Sequence, residues 1–391
     1  MKPLSKSVLL PTHMSLVLAM VLALSACMGF GRQPADTMED DLTEIGAAMV
    51  ERPLLRSVSI GVLHRGKAYT YHAGTLRDGG TTPPSDDTLY EIGSVSKTFT
   101  GTLLAKAVVE GRISLDDPVA DYLDGPMPNL VHDGEPLRIR HLLTHTGGLP
   151  NLLPERAEAA LVDFTDHATP AKLTAAYAGY DKAAFLSDLR DVSLFSAPGR
   201  QYSYSSVGTE LGAHVLEQVY DADFERILKS YFTDNVGMDG IRIGLDAAHA
   251  ERLAIGYHSD NPEPASAMPQ LPWGASGNVK LTTNEMLQYL AFQLAGGDVV
   301  EESHRALHDA DDGYAIGYFW EIFTGNPETG VYYSHHGGVP RAQCYTYVFP
   351  DLDLAIFIIT NQSGNDTAEA LQWGVDQILA GMLSRSANSA N

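Results

Sequence analysis

Basic residues are scarce in this chain: 26 Lys and Arg stand against 49 Asp and Glu, a formal net charge of −23. An acidic surface repels phosphate backbones, so nucleic acid is excluded as an expected partner, as is docking on anionic lipid through a basic patch. Cysteine is scarcer still, with Cys27 and Cys344 the only two in 391 residues. With so few thiols, stability has to come from a buried core rather than from disulfides. Cys344 sits in the alternating run Cys344–Phe349 and reads as a packing residue, not a nucleophile. His141 and His145 are four apart, but Leu142 stands where a zinc-protease helix needs Glu. His304 and His308 share an acidic, helical-looking stretch and read as a solvated face. No Gly-x-Ser-x-Gly elbow occurs, and the Ser96-Lys97-Thr98 run lacks the glycines of a phosphate loop. No metal and no cofactor are therefore expected. Fixed-period repeats and low-complexity tracts are absent as well.

What is present is a globular composition, 44% hydrophobic and 19% charged, long enough for one large domain or two lobes sharing a cleft. The beginning reads differently. Lys2 and Lys6 precede Leu16–Leu24, an apolar run too short to span a bilayer comfortably. It ends in Leu24-Ser25-Ala26-Cys27, which resembles a bacterial lipobox. The expectation is a signal peptide over 1–26, lipidation of Cys27, a polar tether over 27–50, and a short tail at 386–391. Membrane attachment through Cys27 and export to the periplasm follow, with Met28 suiting outer-membrane sorting.

Ser57–Leu63 and Lys67–Tyr71 read as a hairpin across His64-Arg65-Gly66. Ser94 to Glu110 is helical in pattern, ended by Gly111, and Asp117-Pro118 reads as the start of another helix. The stretch 155–190 is Ala- and Leu-rich and helical, a helix follows Ser206 to about Tyr220, and another starts near Thr282. Beyond residue 312 the period returns to two, giving strands at Tyr314–Phe323, Val331–His335, Cys344–Phe349 and Leu354–Thr360, then a closing helix over Ala368–Leu383. Strands open and close the chain while helices fill the middle. The economical fold is α+β: one antiparallel sheet built from both ends (51–93 and about 300–385) with a helical lobe (94–299) inserted, a domain spanning 51–385.

Three separated signals carry chemistry. Ser94-Val95-Ser96-Lys97 begins a helix, so Ser94 and Lys97 lie one turn apart on one face, beside free N–H groups at a helix N-terminus. Lys97 alone among the lysines has a serine three positions before it. Tyr202-Ser203-Tyr204-Ser205-Ser206 follows Pro198-Gly199 and leads into a helix. Ser334-His335-His336-Gly337-Gly338 ends a strand with glycines that let backbone approach a ligand.

In order, spacing and flanks these segments, with Ile139–Pro150 (IRHLLTHTGGLP), resemble the serine β-lactamase and penicillin-binding-protein family over about residues 51–385. The nearest likeness is to its class C β-lactamase, DD-carboxypeptidase and family VIII esterase branch. The resemblance implies a β-lactamase/transpeptidase-like fold and a serine acyl-enzyme hydrolase acting on amide or ester bonds of a small molecule or peptide. It makes Ser94 the nucleophile, Lys97 its proton acceptor, Tyr204 the proton shuttle, and His335 the stand-in for the family's second lysine. Backbone N–H groups of Ser94 and Gly338 would form the oxyanion hole, with Gly337, His336 and Ser206 lining the substrate site. Two positions depart from the pattern: Ser206 replaces an Asn, and His336 replaces Thr or Ser. Tyr202 is the alternative register for Tyr204. Arg341, just beyond Gly338, is a candidate for holding a substrate carboxylate. A titrating His335 next to Lys97 implies a narrow bell-shaped pH profile, since imidazole loses its charge near pH 6.5, where the base should work. A peptidase or esterase comes first and a β-lactamase second. The opposing class is a penicillin- or peptidoglycan-binding lipoprotein with little turnover, kept open by Ser206 and His336.

Overall fold

The computed structural model describes residues 37–77 and 79–389, so Cys27 and the expected signal peptide lie outside it. Eight strands form one fully antiparallel sheet: β1 (Ser57–His64), β2 (Lys67–Gly74), β3 (His308–Asp311), β4 (Tyr314–Gly317), β5 (Trp320–Asn326), β6 (Gly330–Val339), β7 (Ala342–Phe349) and β8 (Leu354–Thr360). Their spatial order is β2-β1-β8-β7-β6-β5-β4-β3. The two ends of the chain meet at β1 and β8, where Ile60 lies opposite Ile358. The single strand expected over Tyr314–Phe323 is two. Tyr318 and Phe319 both adopt positive φ, 50° and 69°, and form the two-residue reversal that pairs Gly317 with Trp320. Such primed turns match the twist of the strands they join.

Both faces of the sheet are covered. Six helices matter here: α1 (Met38–Val50), α2 (Ser96–Val109), α3 (Ile139–Leu143), α4 (Ser206–Tyr220), α5 (Thr283–Ala295) and α6 (Asn365–Ser389). On one face Phe357 and Ile359 join the main core with Phe99, Leu287 and Tyr289, and a Cβ at Gly61 would touch Thr283 of α5 at 2.9 Å. On the other face Ile358 meets α6 at Gly374. Helix α2 is buried from Ser96 to Ala105 on all sides. A helix buried all round has to satisfy its polar side chains internally. Its threonines turn their hydroxyls on backbone carbonyls, and Phe99 stacks on Tyr289 with centroids 3.8 Å apart.

Three expectations need correction. Residues 38–50 are not tether but helix α1: Leu42, Ile45 and Met49 form a buried stripe inside an acidic sequence, and α1 rests on Tyr71 and on α6, where Arg385 pairs with Asp41. Pro118 is extended (ψ 131°), and only a short 3-10 turn, Val119–Tyr122, follows. Asp117 instead accepts from the Ser114 N–H and the Tyr122 hydroxyl, both at 2.7 Å. His304 and His308 do not share a helix: His304 closes the short helix Asp298–Ser303 and stacks on Tyr333, while His308 begins β3. The stretch 155–190 resolves into three short helices, Glu155–Ala160, Thr169–Tyr177 and Lys182–Leu189.

Candidate active site

The chain enters α2 through a sharp turn. Gly93 has φ 54°, and a Cβ there would lie 2.7 Å from the Gly338 nitrogen. Only glycine satisfies both the left-handed backbone and that approach. The contact seats the Ser94 turn against β6, so the amides of Ser94 and Gly338 belong to one neighbourhood. Gly337 has a different task. A Cβ there would come within 2.1 Å of the Ile92 carbonyl, so its smallness lets β6 dock, and it does not line the cleft. Cys344, opposite Gly337, donates its buried thiol to the same carbonyl at 3.3 Å, and burial pushes that thiol well above the usual range.

One turn beyond Ser94, at the start of α2, Lys97 is fully buried. Its Nζ donates to the Ser276 carbonyl at 2.8 Å and to Ser94 Oγ at 3.3 Å, and lies 4.8 Å from the centre of the Tyr204 ring. Burial lowers its pKa to about 7, although the charge of Glu210 works in the opposite direction. A lysine whose free pKa is about 10.4 thus becomes half neutral near pH 7. Glu210, buried on α4, accepts from the backbone N–H of Trp273 and of Ser276 at 2.8 Å each, and from Ser276 Oγ at 2.6 Å. It therefore fixes the segment whose carbonyl holds Lys97.

Tyr204 is presented by a braced loop. The His145 carbonyl accepts from Ser203 N–H at 2.7 Å, its Nδ1 accepts from Ser205 N–H at 3.2 Å, and its ring packs on Tyr204 with centroids 4.5 Å apart. Ser205 caps α4 by accepting from Gly208 N–H. Tyr204 lines the cleft with Ser94, whereas Tyr202 does not. Burial raises the Tyr204 phenol far above its normal value, partly offset by a hydrogen bond with Ser94. The phenol keeps its proton, so Lys97 rather than Tyr204 is the group able to take one.

His335 corrects the expectation of a second cation. Burial and the nearby Lys97 lower its pKa to about 3. Its Nδ1–H donates to the His336 carbonyl at 2.7 Å, which leaves Nε2 as an acceptor. His336 also lines the cleft, with its ring on Tyr345 at 4.7 Å.

Two other expected substrate contacts are otherwise engaged. Ser206 does not line the cleft; its N–H donates to the Asn151 carbonyl at 2.9 Å, and its hydroxyl to Asn151 Oδ1 at 3.4 Å. Arg341 is bound through Nε to the buried Glu91 at 2.9 Å and also does not line the cleft, so its guanidinium is spent on an internal ion pair.

The cleft measures about 440 Å3 and is lined by Ser94, Tyr204, His335, His336 and Gly338 together with residues no motif indicated, chiefly Phe164, Glu321, Gln343 and Asn365. Glu321 had one visible signal, a lone acid in the apolar run from Tyr314 to Phe323. Phe164, in a turn, and Asn365, the first residue of α6, carried no signal. No lysine or arginine is among the lining residues, and no cluster of His, Cys, Asp or Glu suited to a metal ion occurs among the described residues.

A sequence profile of the family described as Beta-lactamase matches residues 44–380. The chain is similar to a beta-lactamase of Pseudomonas fluorescens, 25% identical over 72% of this chain and 75% of the relative. It is similar also to the esterase EstB of Burkholderia gladioli, 29% identical over 64% of this chain and 63% of the relative. Among solved structures, the beta-lactamase/D-alanine carboxypeptidase of Yersinia pestis superposes with a TM-score of 0.71 at 19% identity, covering 88% of this chain and 98% of that one. A class C beta-lactamase of Rhodobacter sphaeroides gives 0.69 at 20% identity, covering 89% and 99%. The fold is that of the β-lactamase/transpeptidase group.

Proposed function

This chain belongs to the Beta-lactamase family and is a serine hydrolase, and from that membership we propose that it hydrolyses esters, and more slowly amides, whose reacting end carries no carboxylate. The observation that carries the proposal is the charge content of the cleft. The lining residues include no Lys or Arg, His335 is neutral, and Arg341 is held by Glu91. A carboxylate-bearing substrate, whether a β-lactam or a D-amino-acid-terminated peptide, would place its charge beside Glu321 with no lysine or arginine among the lining side chains to meet it.

The reaction follows from the hydrogen bonds. Neutral Lys97 takes the proton of Ser94 Oγ, and the oxygen attacks the substrate carbonyl. The Ser94 and Gly338 amides stabilise the developing oxyanion. The Tyr204 phenol gives its proton to the leaving alcohol and is replenished from the Lys97 ammonium, which restores the neutral amine. Water then enters, again activated by Lys97, and releases the acid and Ser94. His335 Nε2 offers the cleft an acceptor, and Gln343 and Asn365 supply neutral polar contacts.

The decisive measurement is turnover of p-nitrophenyl butyrate, a chromogenic cephalosporin and a D-Ala-D-Ala peptide by the domain beginning at residue 37. Turnover of the butyrate well above the other two, with a covalent acyl mass on Ser94 that Ser94→Ala abolishes, is expected. Preferential turnover of the cephalosporin or the peptide would overturn the substrate assignment, and stoichiometric labelling without turnover would favour the binding-protein alternative. We further propose that Cys27 carries a lipid anchor. Cys27→Ala in the full chain is expected to move the protein from the membrane fraction to the soluble one without loss of activity.

A further inference from the structure

Two carboxylates lie near the reacting residues, Glu210 buried and Glu321 partly exposed, and they are not equivalent. Glu210 is saturated: three donors reach it at 2.6–2.8 Å. Glu321 is not. It lies on β5 directly opposite Ser334, one residue before His335, and lines the same cleft as Ser94 and Tyr204. Two hydroxyls reach it, Ser334 Oγ at 3.2 Å and the Tyr314 phenol at 3.5 Å. No Lys, Arg or His comes within ion-pair distance of it among the described residues. A carboxylate accepts about four hydrogen bonds, and a charged one removed from water without a cation is costly.

The groups around Glu321 add to this. Tyrosines 202, 204, 314, 332 and 345 all feel its negative charge, and each keeps its phenol proton. None of them supplies a positive charge. The same cleft is lined by the aromatic residues Phe164 and Tyr204. A carboxylate next to aromatic rings, in a cleft lined by no lysine or arginine, is the chemistry that recognises an ammonium group. Burial raises the carboxyl's pKa, and the hydrogen bonds from Ser334 and Tyr314 work in the opposite direction.

We infer that Glu321 anchors a substrate ammonium group, making this enzyme a hydrolase of amine-bearing esters or amides. The inference rests on the proposed ester chemistry and names the substrate class for it. The ammonium takes the place of the missing ion-pair partner while the ester carbonyl reaches Ser94. Recognition needs no change of covalent chemistry, since the amine is held and not transferred.

The test uses near-isosteric pairs that differ in one charge. Acetylcholine against 3,3-dimethylbutyl acetate places the cation on the alcohol side; p-nitrophenyl 6-aminohexanoate against p-nitrophenyl heptanoate places it on the acyl side. In the wild-type protein, at least one pair is expected to show kcat/KM ten-fold or more in favour of the cationic member, carried mainly by KM. Tetramethylammonium is expected to inhibit turnover of the neutral esters competitively. In Glu321→Gln the preference ratio is expected to collapse toward one, and in Glu321→Asp to survive in part. Circular dichroism and titration of Ser94 with a fluorophosphonate establish that each variant is folded and has a reactive serine. Ratios near one for both pairs in the wild type would overturn the assignment whatever the variants do. So would an undiminished preference in folded Glu321→Gln. Failure to hydrolyse even the neutral esters would instead overturn the ester reading itself, which separates the two failures.

Discussion

Lys97, at the start of α2, and Lys280, in the two-residue strand before α5, are both buried lysines held by backbone carbonyls. Their surroundings differ. Lys280 donates to two carbonyls, of Ile243 at 2.7 Å and Asn278 at 2.9 Å; burial lowers its pKa, helped by Arg341, but the charges of two acids, Glu91 and Glu225, oppose the shift. Lys97 has one carbonyl, that of Ser276, and a longer contact to the serine it activates. Its nearest acid, Glu210, already accepts three other hydrogen bonds. Burial alone therefore does not make a base. A lysine becomes one when the acceptors that would stabilise its charge are withheld, and a structural lysine is one to which they are supplied.

The contrast is broken most severely at Lys97. Lys97→Met is expected to lower kcat/KM for p-nitrophenyl butyrate by about 10^4, because proton removal from Ser94 disappears while the fold stays intact. Steady-state kinetics with a thermal melt checks both halves. Lys280→Met is expected to do the reverse. It strands two buried carbonyls at a cost of about 2–3 kcal/mol, visible in urea unfolding, while kcat/KM per folded molecule changes by less than about threefold, under 1 kcal/mol.

His335→Asn is expected to lower kcat/KM about tenfold through a lost contact in the cleft, near 1.4 kcal/mol, without altering the shape of the pH profile. In the wild type, that profile should rise through a single limb near pH 7 as Lys97 gives up its proton. His335, with a pKa lowered to about 3, contributes no limb between pH 5 and 8. A bell with an apex below pH 7 would return His335 to the role of a titrating cation. Glu210→Gln sharpens the comparison by the smallest step. The Glu210 charge raises the pKa of Lys97, so its removal should move the rising limb to lower pH, by less than about one unit. A shift to higher pH would show that Glu210 does not act on Lys97 through its charge.

These contrasts bear on what the sequence could reveal. The Ser94–Lys97 pair was legible because helical geometry fixes how residues three apart relate. The starts of α4 and α5 were legible in Ser205 and Thr282, which cap through their own side chains. Lys280 and Arg341 were opaque for the opposite reason. Arg341 meets a glutamate 250 residues away, and that contact turns a candidate carboxylate clamp into an internal ion pair. Asp117-Pro118 misled because its carboxylate folds back on Ser114 and Tyr122 instead of capping a helix. Helix α1 was hidden by its acids, although the spacing of Leu42, Ile45 and Met49 was there to be counted. The charge state of His335 depends on burial supplied by the whole fold, which no local pattern encodes.

The pairing of Ile60 with Ile358 also sets a timetable. β1 leaves the ribosome well ahead of its partner β8, so it waits through nearly 300 residues of synthesis. Contacts of such long sequence separation close slowly, because chain entropy must be overcome before they contribute. β6 and β7 pair locally, but they reach β1 only through β8. Until residue 360 has emerged, Ser94 and Lys97 are therefore a turn of helix without the sheet that completes their cleft. Hydrolytic competence is withheld from the nascent chain until β8 and the residues just after it have been made.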